Sequence, residues 1–166
     1  MSDYYFIVSK LNGYVLDVEG ANPAAGAPLI AYPQKSSGTD NQLWLRVPTG
    51  PGSGSSGQSQ YYLKSKLNGY VATISGANPA PATPIINSPK LSPAANNQIW
   101  QFIDSDIDGY FFIVSQFNNN VLDIYGNNTA AGTQVISYPQ KPGNSPNQLW
   151  TFVDSNQPGP KKSAFA

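Results

Sequence analysis

Short runs of β-branched and aromatic residues, each bounded by turn formers, pattern this chain from end to end. The first such runs fall at about Tyr5 to Ser9, Tyr14 to Val18, Pro28 to Tyr32 and Gln42 to Val47. Between them stand Asn12-Gly13, then Gly20 to Gly26 with Asn22-Pro23, then Ser36 to Asp40, all residue types that favour turns. Asn-Gly recurs at Asn68-Gly69, and Asn118-Asn119-Asn120 occupies the matching place later, where Asn still tolerates positive φ. No window longer than about ten residues carries helical spacing of apolar positions. Four short strands per segment, repeated along the chain, predict an all-β barrel or sandwich.

The repetition is literal. Asn-Gln-aliphatic-Trp occurs at Asn41-Gln42-Leu43-Trp44, Asn97-Gln98-Ile99-Trp100 and Asn147-Gln148-Leu149-Trp150, and these hold all three tryptophans. Each closes a repeat, and Tyr5 to Val47, Tyr61 to Ile103 and Phe111 to Val153 align without a gap. The offsets are 56 and 50 residues. Such a period means one supersecondary unit that cannot bury its apolar face alone, and three copies favour a closed pseudo-threefold body over an open solenoid. Residues 1–156 are expected to form one domain, with a loosely ordered tail over residues 157–166. The stretch Pro48 to Gln60, rich in Gly and Ser, reads as a flexible loop joining the first two repeats. Alternation sends Leu16 and Val18 one way and Asp17 the other, and Leu122, Ile124 and Asp123 repeat the pattern. The triplets Ile7/Leu63/Ile113, Ile30/Ile86/Ile136 and the three tryptophans are expected to meet around the pseudo-threefold axis.

Composition narrows the chemistry. Charged residues make up 11% and the formal net charge is zero, so nothing marks a nucleic-acid or anionic-membrane partner. The chain has no cysteine and no histidine, which removes disulfides, Ser-His-Asp and Cys-His catalysis, and the commonest metal ligand. A surface rich in Asn, Gln, Ser, Thr and Tyr suits neutral, hydroxyl-bearing ligands. No leader and no apolar stretch of about eighteen residues is visible, so membrane insertion is not expected. A cytoplasmic protein, or one secreted without a classical signal peptide, is expected.

The three Gln-x-Trp motifs, in register with the strands before them, resemble those of the ricin-B-type (R-type) β-trefoil lectins over about residues 4–154. The resemblance implies an all-β β-trefoil of three pseudo-symmetric four-stranded repeats. Val15-Leu16-Asp17-Val18 and Val121-Leu122-Asp123-Ile124 are similar to the family strand that ends in a sugar-binding aspartate. Fifteen residues on stand Tyr32 and Tyr138, where the family places an aromatic platform, and twenty-four on stand Asn41 and Asn147, its hydrogen-bonding asparagine. By this resemblance Asp17, Tyr32, Asn41 and Gln42, with Asp123, Tyr138, Asn147 and Gln148, are the candidate carbohydrate-binding residues. It implies no cofactor and no metal. The expected partners are glycans on glycoproteins or glycolipids, and the favoured ligand is terminal galactose or N-acetylgalactosamine.

The residue types fit that chemistry. A pyranose offers an apolar face of C–H groups, which a tyrosine ring can stack against, and an edge of hydroxyls. An ionised aspartate accepts two of those hydroxyl protons in charge-assisted bonds, and asparagine offers both a donor and an acceptor. Each hydrogen bond contributes only about 1 kcal/mol net, so a single shallow site should bind a monosaccharide near millimolar. The second repeat departs: Thr73 replaces the aspartate and Ser88 the tyrosine, while Asn97 and Gln98 remain. Two working sites and one lost site are therefore expected. Because Gln98 persists without the rest, Gln42, Gln98 and Gln148 read as braces for loop backbone beside buried tryptophans.

The chain also carries weaker signals. Asp104-Ser105-Asp106-Ile107-Asp108-Gly109 resembles the first half of a calcium loop, but Ser115 stands where a bidentate Glu belongs, so an acidic turn is the expectation. Asn127-Asn128-Thr129 fits a glycosylation acceptor. Paired-carboxylate hydrolysis needs two carboxyls flanking one bond, and the marked aspartates fall in separate repeats, so no enzyme activity is expected. The rival readings are a protein-interaction module, such as a protease inhibitor acting through Pro48 to Gln60, and the targeting module of a toxin.

Overall fold

The computed structural model describes residues 3–50 and 59–156. Among them are twelve strands: β1 (Tyr5–Ser9), β2 (Val15–Val18), β3 (Ala27–Tyr32), β4 (Trp44–Pro48), β5 (Tyr61–Ser65), β6 (Val71–Ile74), β7 (Thr83–Ser88), β8 (Trp100–Asp104), β9 (Phe111–Ser115), β10 (Val121–Ile124), β11 (Thr133–Tyr138) and β12 (Trp150–Asp154). The tail over 157–166 and the centre of the Gly-Ser-rich connector, residues 51–58, lie outside the described residues.

The first and last strands of each repeat close a six-stranded ring. β1 pairs β12, β4 pairs β5, and β8 pairs β9, each antiparallel over five residues. Single bridges at Tyr5↔Trp44, Tyr61↔Trp100 and Phe111↔Trp150 complete the circuit. The two middle strands of each repeat form the hairpins β2–β3, β6–β7 and β10–β11, and these join one another through β3–β7, β7–β11 and β11–β3. A six-stranded barrel capped by three mutually paired hairpins is a β-trefoil. It leaves few free edges, which suits a sequence with so many short strands.

The tight turns follow from the residues that bound them. Asn12 Oδ1 accepts the Tyr14 amide at 3.0 Å, and Asn68 and Asn118 repeat the bond. Gly13 and Gly69 take φ of 74° and 75°, and in the third lobe Asn119 supplies 62°. Asparagine tolerates that region better than other non-glycine residues, so the missing glycine does not break the turn.

The tryptophans fill the core. Trp44, Trp100 and Trp150 are fully buried with Ile7, Leu63, Ile113, Leu16, Leu122, Val18 and Ile124. Each indole N–H, which would be costly to bury unpaired, donates to a carbonyl of the second strand of its lobe: Leu16, Ala72 or Leu122, at 3.0 to 3.1 Å.

One expectation fails. Ile30, Ile86 and Ile136 do not meet at the axis; their places in the central cluster belong to Leu29, Ile85 and Val135. The register explains it. Val18 faces Leu29 and Leu16 faces Ala31, so those residues share the inner side of the hairpin, while Ile30 is opposite Asp17 on the outer side. The same opposition places Ile86 with Thr73 and Ile136 with Asp123.

Candidate functional site

Asp17 sits in the second strand with its neighbours Leu16 and Val18 turned into the core, so its side chain is delivered to the outer face of the hairpin. A cleft of about 440 Å³ opens there, lined by Asp17, Glu19, Ile30, Tyr32, Lys35 and Asn41, with Gly132 reaching in from the third lobe. Ile30, displaced from the core, becomes part of the lining beside the carboxylate. Tyr32 ends its strand 40% exposed, and Tyr138 is 37% exposed, so both rings are open to a ligand.

The carboxylate is buried and held. Asn41 Nδ2 donates to Asp17 Oδ1 at 3.1 Å and Gln42 Nε2 donates to Oδ2 at 2.8 Å. The third lobe repeats this with Asn147 and Gln148 on Asp123, at 3.1 and 2.8 Å. Each carboxylate oxygen thus accepts one protein bond and keeps further acceptor capacity. Burial pushes both carboxyls above the usual carboxylate range. The bonds from Gln42 and Gln148, the charges of Lys35 and Lys141, and the bonds from Asn41 and Asn147 oppose that push.

Asn41 does not have the free donor expected of it. Its N–H groups are spent on Asp17 and on the Val18 carbonyl at 3.0 Å. Its Oδ1 accepts the Lys35 ammonium at 2.6 Å. Asn147 is engaged likewise, through Asp123, the Ile124 carbonyl and Lys141. The short 3-10 turns Asp40–Gln42 and Pro146–Gln148 cause this, since they bury the asparagine and glutamine instead of presenting them. Asparagine therefore orients the carboxylate, and the ammonium beside it is the donor nearest the cleft.

Glutamine braces the loop in all three lobes. Gln42, Gln98 and Gln148 donate to the carbonyls of Pro33, Pro89 and Pro139 and accept the amides of Lys35, Leu91 and Lys141. Lys35 and Lys141 had no part in the sequence expectation. They stand at equivalent places, with Leu91 at that place in the second repeat, so the comparison that marks the aspartates also marks the lysines.

In the middle lobe the framework persists and the polar set is gone. Thr73 is buried, donates to the Val71 carbonyl at 2.9 Å, and accepts Gln98 Nε2 at 3.2 Å. Asn97 Nδ2 still reaches the Ile74 carbonyl at 3.0 Å. A cleft of about 440 Å³ does exist beside this lobe, between Pro48, Tyr62, Lys90 and Leu91. Its lining contains no carboxylate, and the Lys90 ammonium lies 4.6 Å from the Tyr62 ring centre.

The family model described as ricin-type beta-trefoil lectin domain-like matches residues 1–88 and 96–160. The chain belongs to that family. A designed threefold-symmetric protein, ThreeFoil, is similar at 31% identity and a TM-score of 0.80, over 92% of this chain and 99% of that one. The Rhizoctonia solani agglutinin is 27% identical with a TM-score of 0.74, over 93% and 96% of the two chains. The C-half of the earthworm R-type lectin, solved in complex with GalNAc, is 28% identical with a TM-score of 0.63, over 92% and 99%. No curated protein matches the chain. With the family in place, the fold is a lectin-like β-trefoil of a kind whose solved members include sugar binders.

The acidic segment after β8 forms a turn. Ser105 Oγ donates to the Tyr110 carbonyl at 2.7 Å, and Asp106 Oδ2 accepts Asn144 Nδ2 at 3.3 Å. Among the described residues no group of three or more His, Cys, Asp or Glu side chains is placed to hold a metal ion.

Proposed function

We propose that this protein is a non-enzymatic lectin that binds neutral glycans ending in galactose or N-acetylgalactosamine. The sites are the first-lobe cleft and the equivalent set of side chains in the third lobe. Asp17 and Asp123 accept sugar hydroxyl protons, and Tyr32 and Tyr138 stack on the sugar's C–H face. Lys35 and Lys141 donate from the side, and Asn41, Asn147, Gln42 and Gln148 hold the carboxylates in place. One observation carries the reading. Aspartate, exposed tyrosine and lysine occur together at equivalent positions in two lobes, and Thr73, Ser88 and Leu91 stand at those positions in the lobe that otherwise keeps the same loop architecture. The GalNAc complex of the earthworm relative supports the choice of sugar.

Two sites on one rigid body would cross-link glycoproteins or glycolipids, with avidity above the single-site affinity. Hydrolysis is disfavoured by the placement of the carboxyls. Asp17 and Glu19 share a cleft but stand two residues apart along one strand end, so they approach a ligand from one side instead of flanking a bond.

The test is a glycan array on the wild type, Asp17→Thr, Asp123→Thr and the double variant. Threonine is chosen because the middle lobe already buries it against the same glutamine. Each single variant should retain binding, and the double variant should lose it while staying folded. Undiminished binding by the folded double variant would reject the site assignment.

A further inference from the structure

We propose that the two sites are not equivalent. The third-lobe site holds two successive pyranose rings of a neutral oligosaccharide, the first against Tyr138 and the second against Tyr125, whereas the first-lobe site holds one ring. The inference rests on the glycan-binding reading above and concerns what each site can take.

Position 19 lines the first cleft together with Asp17 and Tyr32. Its counterpart in the third lobe is Tyr125 and in the middle lobe Ser75. Tyr125 is 56% exposed, more than any other large hydrophobic side chain among the described residues. The register gives its place relative to the carboxylate. Tyr138 is opposite Val121, Asp123 comes two residues further along the strand, and Tyr125 two beyond that. Asp123 shares the strand face of Val121, opposite Tyr138, and Tyr125 opens the 3-10 turn that follows the strand, at the place from which Glu19 lines the first-lobe cleft. Directly after Tyr125, Gly126 takes φ of 64° and turns the chain, as Gly20 does after Glu19 at 65°.

The first lobe ends differently. Glu19 puts a second carboxylate beside Asp17, close enough that its charge adds to the upward push on the Asp17 carboxyl, while nothing comparable acts on Asp123. A hydrated carboxylate offers no apolar face to a second ring. Beside Asp123 stands an exposed aromatic ring, and beside Asp17 a second charge.

The experiment isolates each site with a threonine variant and titrates it with galactose and with lactose, whose terminal galactose is followed by a second ring. Asp17→Thr leaves the third-lobe site and should bind lactose about five-fold more tightly than galactose, the size of one aromatic contact. Adding Tyr125→Ala should remove that preference and leave galactose affinity unchanged. Asp123→Thr leaves the first-lobe site and should bind the two sugars equally, gaining the preference when Glu19→Tyr is added. An unchanged lactose-to-galactose ratio on removing Tyr125, or a lactose preference in the first-lobe site as large as in the third, overturns the inference. Failure of the wild type to bind either sugar overturns the galactose reading beneath it and this inference with it. Binding of galactose without discrimination overturns the inference alone.

Discussion

The middle lobe and its two neighbours share a backbone and differ where the outer lobes carry aspartate, tyrosine and lysine and the middle one Thr73, Ser88 and Leu91. All three lobes bury a tryptophan whose indole reaches a carbonyl, and all three brace a loop with a glutamine bonded to a proline carbonyl. Only the outer two carry a buried carboxylate, an exposed tyrosine and a lysine bonded to the asparagine that holds the carboxylate. What all three keep is scaffold, and what only two keep is the chemistry proposed above to meet the ligand. The middle lobe also shows the cost of the site. Thr73 is satisfied there by Gln98 and a backbone carbonyl, with no ion to desolvate, whereas Asp17 and Asp123 are buried as potential charges.

The largest effect should come from breaking what the lobes share. Trp100→Ala, in the lobe without a carboxylate, should cost about 3–5 kcal/mol of stability in urea melts while leaving the glycan affinity of the folded fraction unchanged. Next comes the difference itself. Asp17→Thr or Asp123→Thr should weaken its own site about 10- to 100-fold by removing charge-assisted bonds, and for a monomer should abolish agglutination while the other site still binds. Conversely, Thr73→Asp with Ser88→Tyr and Leu91→Lys should give the middle lobe a weak third site of about millimolar affinity, visible as added binding capacity in sugar titrations.

The pH dependence has two opposite signs. Glycan affinity needs ionised carboxylates, so it should fall as pH drops through their raised pKa. Stability runs the other way, because the fold holds these protons more tightly than the unfolded chain does. The destabilising contribution of Asp17 and Asp123 is absent below the ordinary carboxylate pKa of about 4 and grows as pH rises through the folded value. Urea midpoints of the wild type and of Asp17→Thr/Asp123→Thr should diverge in the variant's favour between pH 3 and pH 7. The smallest effect is expected from Lys35→Met with Lys141→Met. Losing the ammonium that opposes the upward shift should move the acid edge of glycan binding to higher pH, read in binding curves across pH.

Much of this was legible in the residues, and the gaps have physical causes. The repeat, the four-strand unit and the outward face of Asp17 follow from spacing and strict alternation in Leu16-Asp17-Val18. The third strand has no alternation: Pro28-Leu29-Ile30-Ala31 is continuously apolar, so its inner face is set by the partner strand, and Ile30 was assigned to the wrong side. The engagement of the Asn41 donors is not legible in the sequence, because its bonds to Asp17 and Val18 span 24 and 23 residues and arise only on folding. Lys35 and Lys141 were visible against Leu91 all along, since they obey the same two-of-three rule as the aspartates.

The measurement that bears most directly on the central claim is backbone chemical-shift mapping of the wild type during a titration with lactose, a method suited to millimolar affinity. Amides around residues 17–41 and 123–147 should shift together with saturation, and those around residues 73–97 should stay still. Shifts centred on the middle lobe, or none in the outer two while glycan binding persists, would contradict the account.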